Sequence, residues 1–336
     1  MVRLGVIGCG YWGPNLLRNL WGLPECKVVG ACDLRTSRLE HMGGLYSGLH
    51  TTTNYKEFLD GTHVDAVVIA TPVHTHGPLA TEFLAAGKHV FVEKPLADSV
   101  AAGVNMVGLS KQHERVLMVG HTFVFSSPVR QIKAIIDSGE IGDILYISSR
   151  RLNLGLFQTD INVMWDLAPH DLSIILYLLG TEPESVSCQG VDHFGRGVED
   201  ITSLSLNFPN GVFVNVQSSW LDPRKVREMT IVGTKKMVVY DDTEPLEKIR
   251  VYDKRVEVPP HYDTFAEFHY SYHYGDVFIP YLKQEEPLKV ETQHFLGCIE
   301  DGIECLSSGH EGLRVVRIME KANESLRSNG QRIALQ

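Results

Sequence analysis

Through the first 120 residues, continuous apolar runs alternate with segments whose apolar residues recur at helical spacing. The runs Leu4–Gly8, Val28–Cys32, Val64–Ala70, His89–Val92 and Val116–Val119 show little polar alternation. That is the pattern of strands covered on both faces. A helix is predicted from Gly13, with Pro14 in its first turn and Trp12, Leu16 and Leu20 on one face. Asn54 is placed to cap a short helix containing Phe58 and Leu59. A helix carrying Leu79, Phe83 and Leu84 stops at Gly87, and another starts from Ser99. Repeated strand–helix units predict a doubly wound parallel sheet of the Rossmann kind, with its ligand at the C-terminal strand edge.

The pattern then changes. A helix with Val129, Ile132, Ile135 and Ile136 ends near Gly139, and a strand runs from Asp143 to Ser149 into Arg150-Arg151-Leu152-Asn153. In Trp165-Asp166-Leu167-Ala168-Pro169-His170-Asp171, Pro169 suits the first position of a helix. Leu172, Ile175, Leu176 and Leu179 would be its buried stripe and Gly180 its stop. Beyond Ser185, alternating Leu204, Leu206, Phe208 and Val212, Val214, Val216 flank Pro209-Asn210-Gly211, a hairpin signal. Further strands are expected over Glu228–Val232, Met237–Tyr240 and Ile249–Tyr252, then helices near Glu291–Leu306 and Gly312–Leu326. The expected fold class is α/β: a Rossmann domain over residues 1–121, then an α+β domain over 122–336 with a large, mostly antiparallel open sheet. The C-terminal helices are allowed to pack back near the Rossmann domain. One broad sheet face needs a cover, and self-association into a dimer or tetramer is the expected one.

Composition narrows the class. Of the 336 residues, 43% are hydrophobic and 21% charged, ordinary for a globular protein. The net charge of −10, from 31 basic against 41 acidic residues, argues against a nucleic-acid partner. No apolar run has the length of a membrane span, and Met1-Val2-Arg3 leads directly into a strand, so neither a membrane nor a signal peptide is expected. The six cysteines form no C-x-x-C pair; Cys9 and Cys32 lie in or beside apolar runs as inert thiols. A reducing cytoplasm is the expected location.

The chemistry begins at Gly8-Cys9-Gly10-Tyr11-Trp12-Gly13, a G-x-G-x-x-G directly after a strand. Such glycines permit a tight turn and close approach of a pyrophosphate to a helix N-terminus. Asp33 ends the second strand twenty residues beyond Gly13, placed to accept ribose hydroxyls and repel a 2′-phosphate. NAD is therefore expected over NADP, with nearby Arg35 weakening the preference. Tyr11, Trp12 and Leu34 join the expected cofactor contacts. So do Thr71, Pro72, Glu93 and Lys94, which lie at strand exits, and His76 in the loop after Thr71. His74 and His76 could pair on a metal, but no acid or cysteine accompanies them and no metal is expected. Pro95 holds Lys94 extended at the sheet edge. His170, placed in the first turn of its helix, would be kept neutral by the helix dipole and so able to take a hydroxyl proton. Asp166 could orient that ring or hold a second hydroxyl, whereas Asp171 reads as a cap. Trp165, Arg151 and Asn153 are candidate substrate contacts, and Arg224 and Lys225 a candidate diphosphate site. The aromatic segment His261–Tyr274 could shape a substrate pocket or an oligomer contact.

These residues carry a family resemblance. Gly8-x-Gly10-x-x-Gly13, Ala70-Thr71-Pro72 with His76, Ala86-Gly87-Lys88-His89-Val90 leading to Glu93-Lys94-Pro95, and Asp166-x-x-x-His170 stand in the order seen in the glucose–fructose oxidoreductase/inositol dehydrogenase (Gfo/Idh/MocA) family. The resemblance implies that Lys94 and His170 touch the reacting hydroxyl with Asp166 beside them, and that Lys94 meets the nicotinamide ribose. It also allows a cis Lys94–Pro95 peptide. Gly-Tyr-Trp-Gly-Pro-Asn at 10–15 and Trp-Asp-Leu-Ala-Pro-His-Asp at 165–171 resemble the branch that oxidises the 3-hydroxyl of nucleotide-linked amino sugars, as UDP-N-acetylglucosamine 3-dehydrogenases do for surface-polysaccharide synthesis. Val73 stands where the family often has Asn, and Phe125-Ser126-Ser127-Pro128 replaces a common Arg-Phe-x-Pro. The expected activity is NAD-dependent oxidation of a secondary hydroxyl, C3 of a UDP-linked N-acetylhexosamine or its uronic acid. The alternatives are an NADPH-dependent 3-ketoreductase of a nucleotide deoxysugar, a dehydrogenase of a free sugar or polyol, and a non-catalytic NAD-binding regulator.

Overall fold

The computed structural model describes residues 1–59, 63–155, 157–158, 161–257 and 271–335. The chain divides into two units, Met1–Ser126 with Glu285–Glu320, and Ser127–Gln284 with Lys321–Gln336. The first unit therefore runs a few residues past 121 and also takes in a C-terminal segment.

In the first unit, β1 (Val2–Ile7), α1 (Gly13–Trp21), β2 (Cys26–Cys32), α2 (Thr36–Leu45), β3 (His50–Thr52), β4 (Ala66–Ile69), α3 (His76–Ala85), β5 (His89–Glu93), α4 (Val100–Gln112) and β6 (Leu117–Gly120) follow in order. The strands form one parallel sheet in the order β3-β2-β1-β4-β5-β6, the dinucleotide-binding Rossmann arrangement. All four residues of β4 and of β6 are buried, which is why these segments read as unbroken apolar runs. The helix starts follow their caps: Ser99 accepts from the Ala102 amide at α4, and Asn54 accepts from the Lys56 amide at a 3₁₀ turn. Trp12 departs from expectation. It is the exposed N-cap of α1, while Leu16 and Leu20 are buried. The short β3 and α2 carried no strong apolar pattern; β3 pairs with β2, and α2 packs against both.

The second unit opens with α5 (Ser127–Asp137), β7 (Ile144–Leu154) and α6 (Val163–Leu179). It continues with β8 (Ser185–Val191), β9 (Ile201–Asn207), β10 (Phe213–Ser219), β11 (Leu221–Gly233), β12 (Met237–Asp241), β13 (Ile249–Glu257) and β14 (Ser271–Phe278). α7 (Pro287–Glu300) belongs to the first unit, α8 (Gly309–Arg327) runs from one into the other, and β15 (Ile333–Ala334) closes the chain. Nine strands form a sheet in the order β14-β13-β12-β11-β7-β10-β9-β8-β15, antiparallel except for β7 beside β10. The β9–β10 connection turns at Asn210 (φ 64°) and Gly211 (φ 79°), as the Pro-Asn-Gly signal implies. α6 packs on the sheet face to which Ile147, Ser149, Arg151, Val214 and Val216 turn. Two expectations move. α7 ends at Glu300 rather than near Leu306, and of the segment His261–Tyr274 only 271–274 fall among the described residues, in β14. Among the described residues, no helix is long and apolar enough to cross a membrane.

Candidate functional site

In the first unit the glycine turn is built on close backbone approaches. A Cβ at Gly13 would lie 1.8 Å from the Gly8 carbonyl oxygen, and one at Gly8, which sits at φ +95°, 2.5 Å from that of Ala70. Gly10 differs: the nearest atom to a Cβ there is Arg35 Nη2 at 3.7 Å, so its surface is open. No side chain caps the N-terminus of α1, and its first turn holds no acid. An open glycine before uncapped helix amides fits a pyrophosphate. Asp33 stands at the end of β2, where its Oδ2 accepts from the Cys9 amide (2.7 Å) and its Oδ1 from the Arg35 amide (2.9 Å). Burial raises its pKa, but these amides and the Arg35 guanidinium outweigh that and hold it below the ordinary carboxylate range. Oδ2 keeps acceptor capacity for a ribose hydroxyl. Tyr11 and Leu34 are exposed at this edge. The residues present therefore fit a dinucleotide with an unmodified ribose.

The β4 and β5 exits lie beside one another in the same sheet. His76 joins their loops: Nδ1 lies 2.9 Å from the Pro95 carbonyl oxygen and Nε2 2.9 Å from that of Thr71. Burial lowers its pKa against the pull of the two carbonyls, and a neutral ring donates to only one of them. His76 therefore holds the loops in place rather than lining the cofactor pocket, and His74, two residues away, is exposed. Thr71 Oγ1 bonds Thr75 Oγ1 at 2.6 Å, closing the turn after β4.

The Lys94–Pro95 peptide is cis and Lys94 is half-buried. Glu93 is also not a surface contact. Its Oε2 accepts from the Lys94 amide (3.2 Å), and burial pushes its pKa up to about 7 against the Lys94 charge. A Cβ at Gly120 would come within 3.1 Å of that oxygen, so a glycine there makes room for the buried carboxyl. Behind it, Glu291 of α7 accepts from Thr122 Oγ1 (2.8 Å), and burial together with Glu93 raises its pKa well above normal. Spacing did not single out Glu291; no local pattern marks a polar residue that is buried only by its tertiary neighbours.

In the second unit, α6 corrects the placement of His170. The helix starts at Val163, where the Asn162 side chain accepts from the Trp165 amide (3.1 Å). Pro169 is therefore inside the helix and His170 is its eighth residue, beyond reach of the terminal dipole. The argument for a neutral imidazole from helix position is lost. The i, i+4 spacing survives: Asp166 and His170 share one face, both half-buried on a mostly buried helix. Asp166 Oδ2 accepts from Trp220 Nε1 at 3.0 Å. From Trp220 an aromatic run continues through Phe157 (ring centroids 5.5 Å) to Phe194 (5.2 Å), with the Arg196 guanidinium 5.3 Å from the Phe157 ring. Asn153 Nδ2 and the Trp220 ring both close on Gly155, within 3.1 and 2.7 Å of where a Cβ would sit. Spacing pointed to none of Phe157, Phe194, Arg196 or Trp220, because three separate segments supply them.

Four expected substrate contacts fall elsewhere. Arg151 is 4% exposed and bidentate on Asp171, Nε to Oδ2 at 2.7 Å and Nη2 to Oδ1 at 3.1 Å. Asp171 also accepts from Ser149 Oγ (2.9 Å), so it is a buried ion-pair partner and not a cap. Trp165 is buried in the helix core. Arg224 and Lys225 are exposed in an irregular stretch of β11 and line a cavity of about 340 Å³ with Arg150, Asp222, Glu228 and Asp241. Arg150 alternates with Arg151 along β7, so this cavity opens on the sheet face opposite α6.

The comparisons agree with this architecture. Residues 2–121 match the oxidoreductase family NAD-binding Rossmann fold of GFO/IDH/MocA proteins, and residues 129–239 match the GFO/IDH/MocA C-terminal domain. The chain is 26% identical to an inositol 2-dehydrogenase of Rhizobium meliloti over 97% of both chains. Its fold is similar to that of UDP-N-acetylglucosamine 3-dehydrogenase GnnA from Acidithiobacillus ferrooxidans, with a TM-score of 0.81 and 22% identity over 97% of this chain and 98% of that one. It is similar also to an Agrobacterium radiobacter oxidoreductase in complex with NAD+, L-tartaric acid and magnesium, with a TM-score of 0.81 and 19% identity over 99% and 98%. With its glycine turn, Asp33 and open sheet in place, the chain belongs to the GFO/IDH/MocA family and is an NAD-binding oxidoreductase.

Proposed function

We propose that the chain oxidises a secondary hydroxyl of a sugar with NAD, at C3 of a UDP-linked N-acetylhexosamine or its uronic acid. The observation that carries this reading is the face of α6. It sets a carboxylate and an imidazole one turn apart, and the Asp166 carboxylate is tied to the start of an aromatic run whose middle ring, Phe157, lies beside a cation. Aromatic faces suit a sugar or base ring, and a guanidinium suits a phosphate. The glycine turn, Asp33, Thr71 and Pro72 would hold NAD, which supplies the hydride acceptor. His170 takes the hydroxyl proton, Asp166 steadies the substrate beside it, and Lys94 lends positive charge to the developing alkoxide. The likeness to GnnA supports this substrate class, as do the motifs at 10–15 and 165–171. The product would feed amino-sugar synthesis for surface polysaccharide in the cytoplasm.

A free polyol is the second reading, favoured by the inositol 2-dehydrogenase relative. A thermal-shift screen with NAD present, followed by NADH formation, separates the two. UDP-N-acetylglucosamine or its uronic acid should raise Tm and drive NAD reduction. His170→Ala should lower kcat by about a hundredfold or more while NAD still binds. Turnover of inositols with no response to any UDP-sugar would overturn the nucleotide-sugar assignment. NADP should serve poorly, because Asp33 keeps its charge.

The same reading makes the chain a homo-oligomer through the sheet face opposite α6. Met237, Val232, Tyr146 and Phe213 stand side by side there on four neighbouring strands, with Tyr146 38% and Phe213 42% exposed. A contiguous apolar row of this kind favours a second copy.

A further inference from the structure

After α7 the chain turns at Asp301 and Gly302 and brings Cys305 back beside the helix. His294 and Cys298 lie one turn apart on α7. The ligating atoms of His294, Cys298 and Cys305 all lie within 4.8 Å of one another. The Leu306 amide donates to His294 Nε2 at 3.1 Å, so a neutral ring carries its proton on Nδ1. Cys298 is buried and Cys305 half-buried. Their closeness drives the two thiols' pKa values apart. Neighbouring Cys305, helped by His294 and opposed by burial, pulls Cys298 below the ordinary thiol range. Cys305 is pushed up by neighbouring Cys298 and by burial. Both cysteines line a cavity of about 260 Å³ together with Lys111, Arg115, Ser308 and His310. The other four cysteines have no such setting. Burial pushes Cys9 and Cys188 up to about 12 and Cys26 and Cys32 up to about 11.

We propose that Cys298 and Cys305 are a reactive dithiol, in which Cys298 is the nucleophile toward hydroperoxides and Cys305 the resolving thiol. The Cys298 thiolate attacks one oxygen of hydrogen peroxide. The S–O bond forms as the O–O bond breaks, and the leaving hydroxide takes a proton from solvent to become water. Cys305 then gives up its proton, and its sulfur attacks the sulfenic sulfur of Cys298. The S–S bond forms, the S–O bond breaks, and the departing hydroxide leaves as water with that proton. Two thiols are oxidised to one disulfide while one peroxide is reduced to two waters. The same three side chains have the composition of a soft-metal site. The structure favours the dithiol, because the Nε2 lone pair that a metal would take already accepts the Leu306 amide.

The test is a time course of the full-length protein with limiting hydrogen peroxide, quenched by alkylation and read by peptide mass spectrometry. The expected product is a Cys298–Cys305 disulfide, formed at least about tenfold faster than any oxidation at Cys9, Cys26, Cys32 or Cys188. Cys305→Ser should stop the reaction at a Cys298 sulfenic acid that dimedone traps. The wild-type time course needs no variant to fold. Oxidation of Cys298 no faster than that of Cys26 overturns the proposal. So does a stoichiometric Co(II) complex with a thiolate charge-transfer band that both Cys298→Ser and Cys305→Ser abolish, which would make the cluster a metal site.

Discussion

Gly10 and Gly13 belong to one motif but are glycine for different reasons. At Gly13 a side chain would run into the Gly8 carbonyl, 1.8 Å away, so the constraint is internal to the fold. At Gly10 the space is open, with nothing nearer than 3.7 Å, so the constraint comes from a ligand. Gly13→Ala should therefore lower the Tm of the protein without NAD. Gly10→Ala should leave that Tm within about a degree of wild type while weakening NAD binding by roughly tenfold or more, since each tenfold is about 1.4 kcal/mol of lost contact. Thermal melts with and without NAD, beside a fluorescence titration, separate the two. The glycines and Asp33 were legible because a dinucleotide turn is local: one strand end, one helix start and one acid at fixed spacing. His76 and Glu93 were legible as residues but not as roles. Each looked like a pocket contact, and each is buried against backbone supplied by a neighbouring loop or by its own strand exit.

α6 shows what periodicity does and does not convey. Its buried stripe and its Gly180 stop were readable, but its start was not. Pro169 also suits a first turn, and spacing alone does not mark the cap at Asn162, seven residues before it. Proline in a helix interior gives up one backbone bond, and here burial of nearly the whole element compensates. The longer helix keeps Asp166 and His170 on one face and turns Asp171 the other way, into Arg151 of β7. Removing one member of a buried ion pair costs about 3–5 kcal/mol, because the other charge stays buried alone. Arg151→Leu or Asp171→Leu alone should thus destabilise by about that amount in urea melts, and the double variant should recover much of it. A substrate role for Arg151 would show the opposite pattern: little change in stability and a raised KM.

Across the nine-stranded sheet, the two faces have separate duties. One carries α6 and the side chains proposed for proton transfer. The other carries the row Met237, Val232, Tyr146, Phe213 and, in a separate cavity, Arg224 and Lys225. Alternation along β7 sends Arg151 to the first face and Tyr146 and Arg150 to the second. If the second face covers itself with another copy, Tyr146→Lys with Phe213→Lys should shift the mass seen by light scattering toward the monomer. The charges stand side by side in register, so they also repel one another across the β7–β10 pair. An unchanged mass would place the oligomer contact elsewhere.

By itself the sequence determined what short spacing can encode. It set the parallel order of strand and helix, the cofactor turn with its ribose acid, the Glu93-Lys94-Pro95 strand exit and the i, i+4 pair Asp166 and His170. These are local because a turn, a cap or a helix face involves residues within a few positions of one another. The tertiary structure alone decided which neighbours those residues meet. It made Arg151 a buried partner of Asp171, set Trp220 against Asp166, put Arg224 and Lys225 on the far side of the sheet, and closed Cys305 onto Cys298 and His294. Burial and hydrogen-bond partners come from other segments, from several residues to more than a hundred away, and side-chain chemistry is set by those partners, which no run of spacing along a single chain contains.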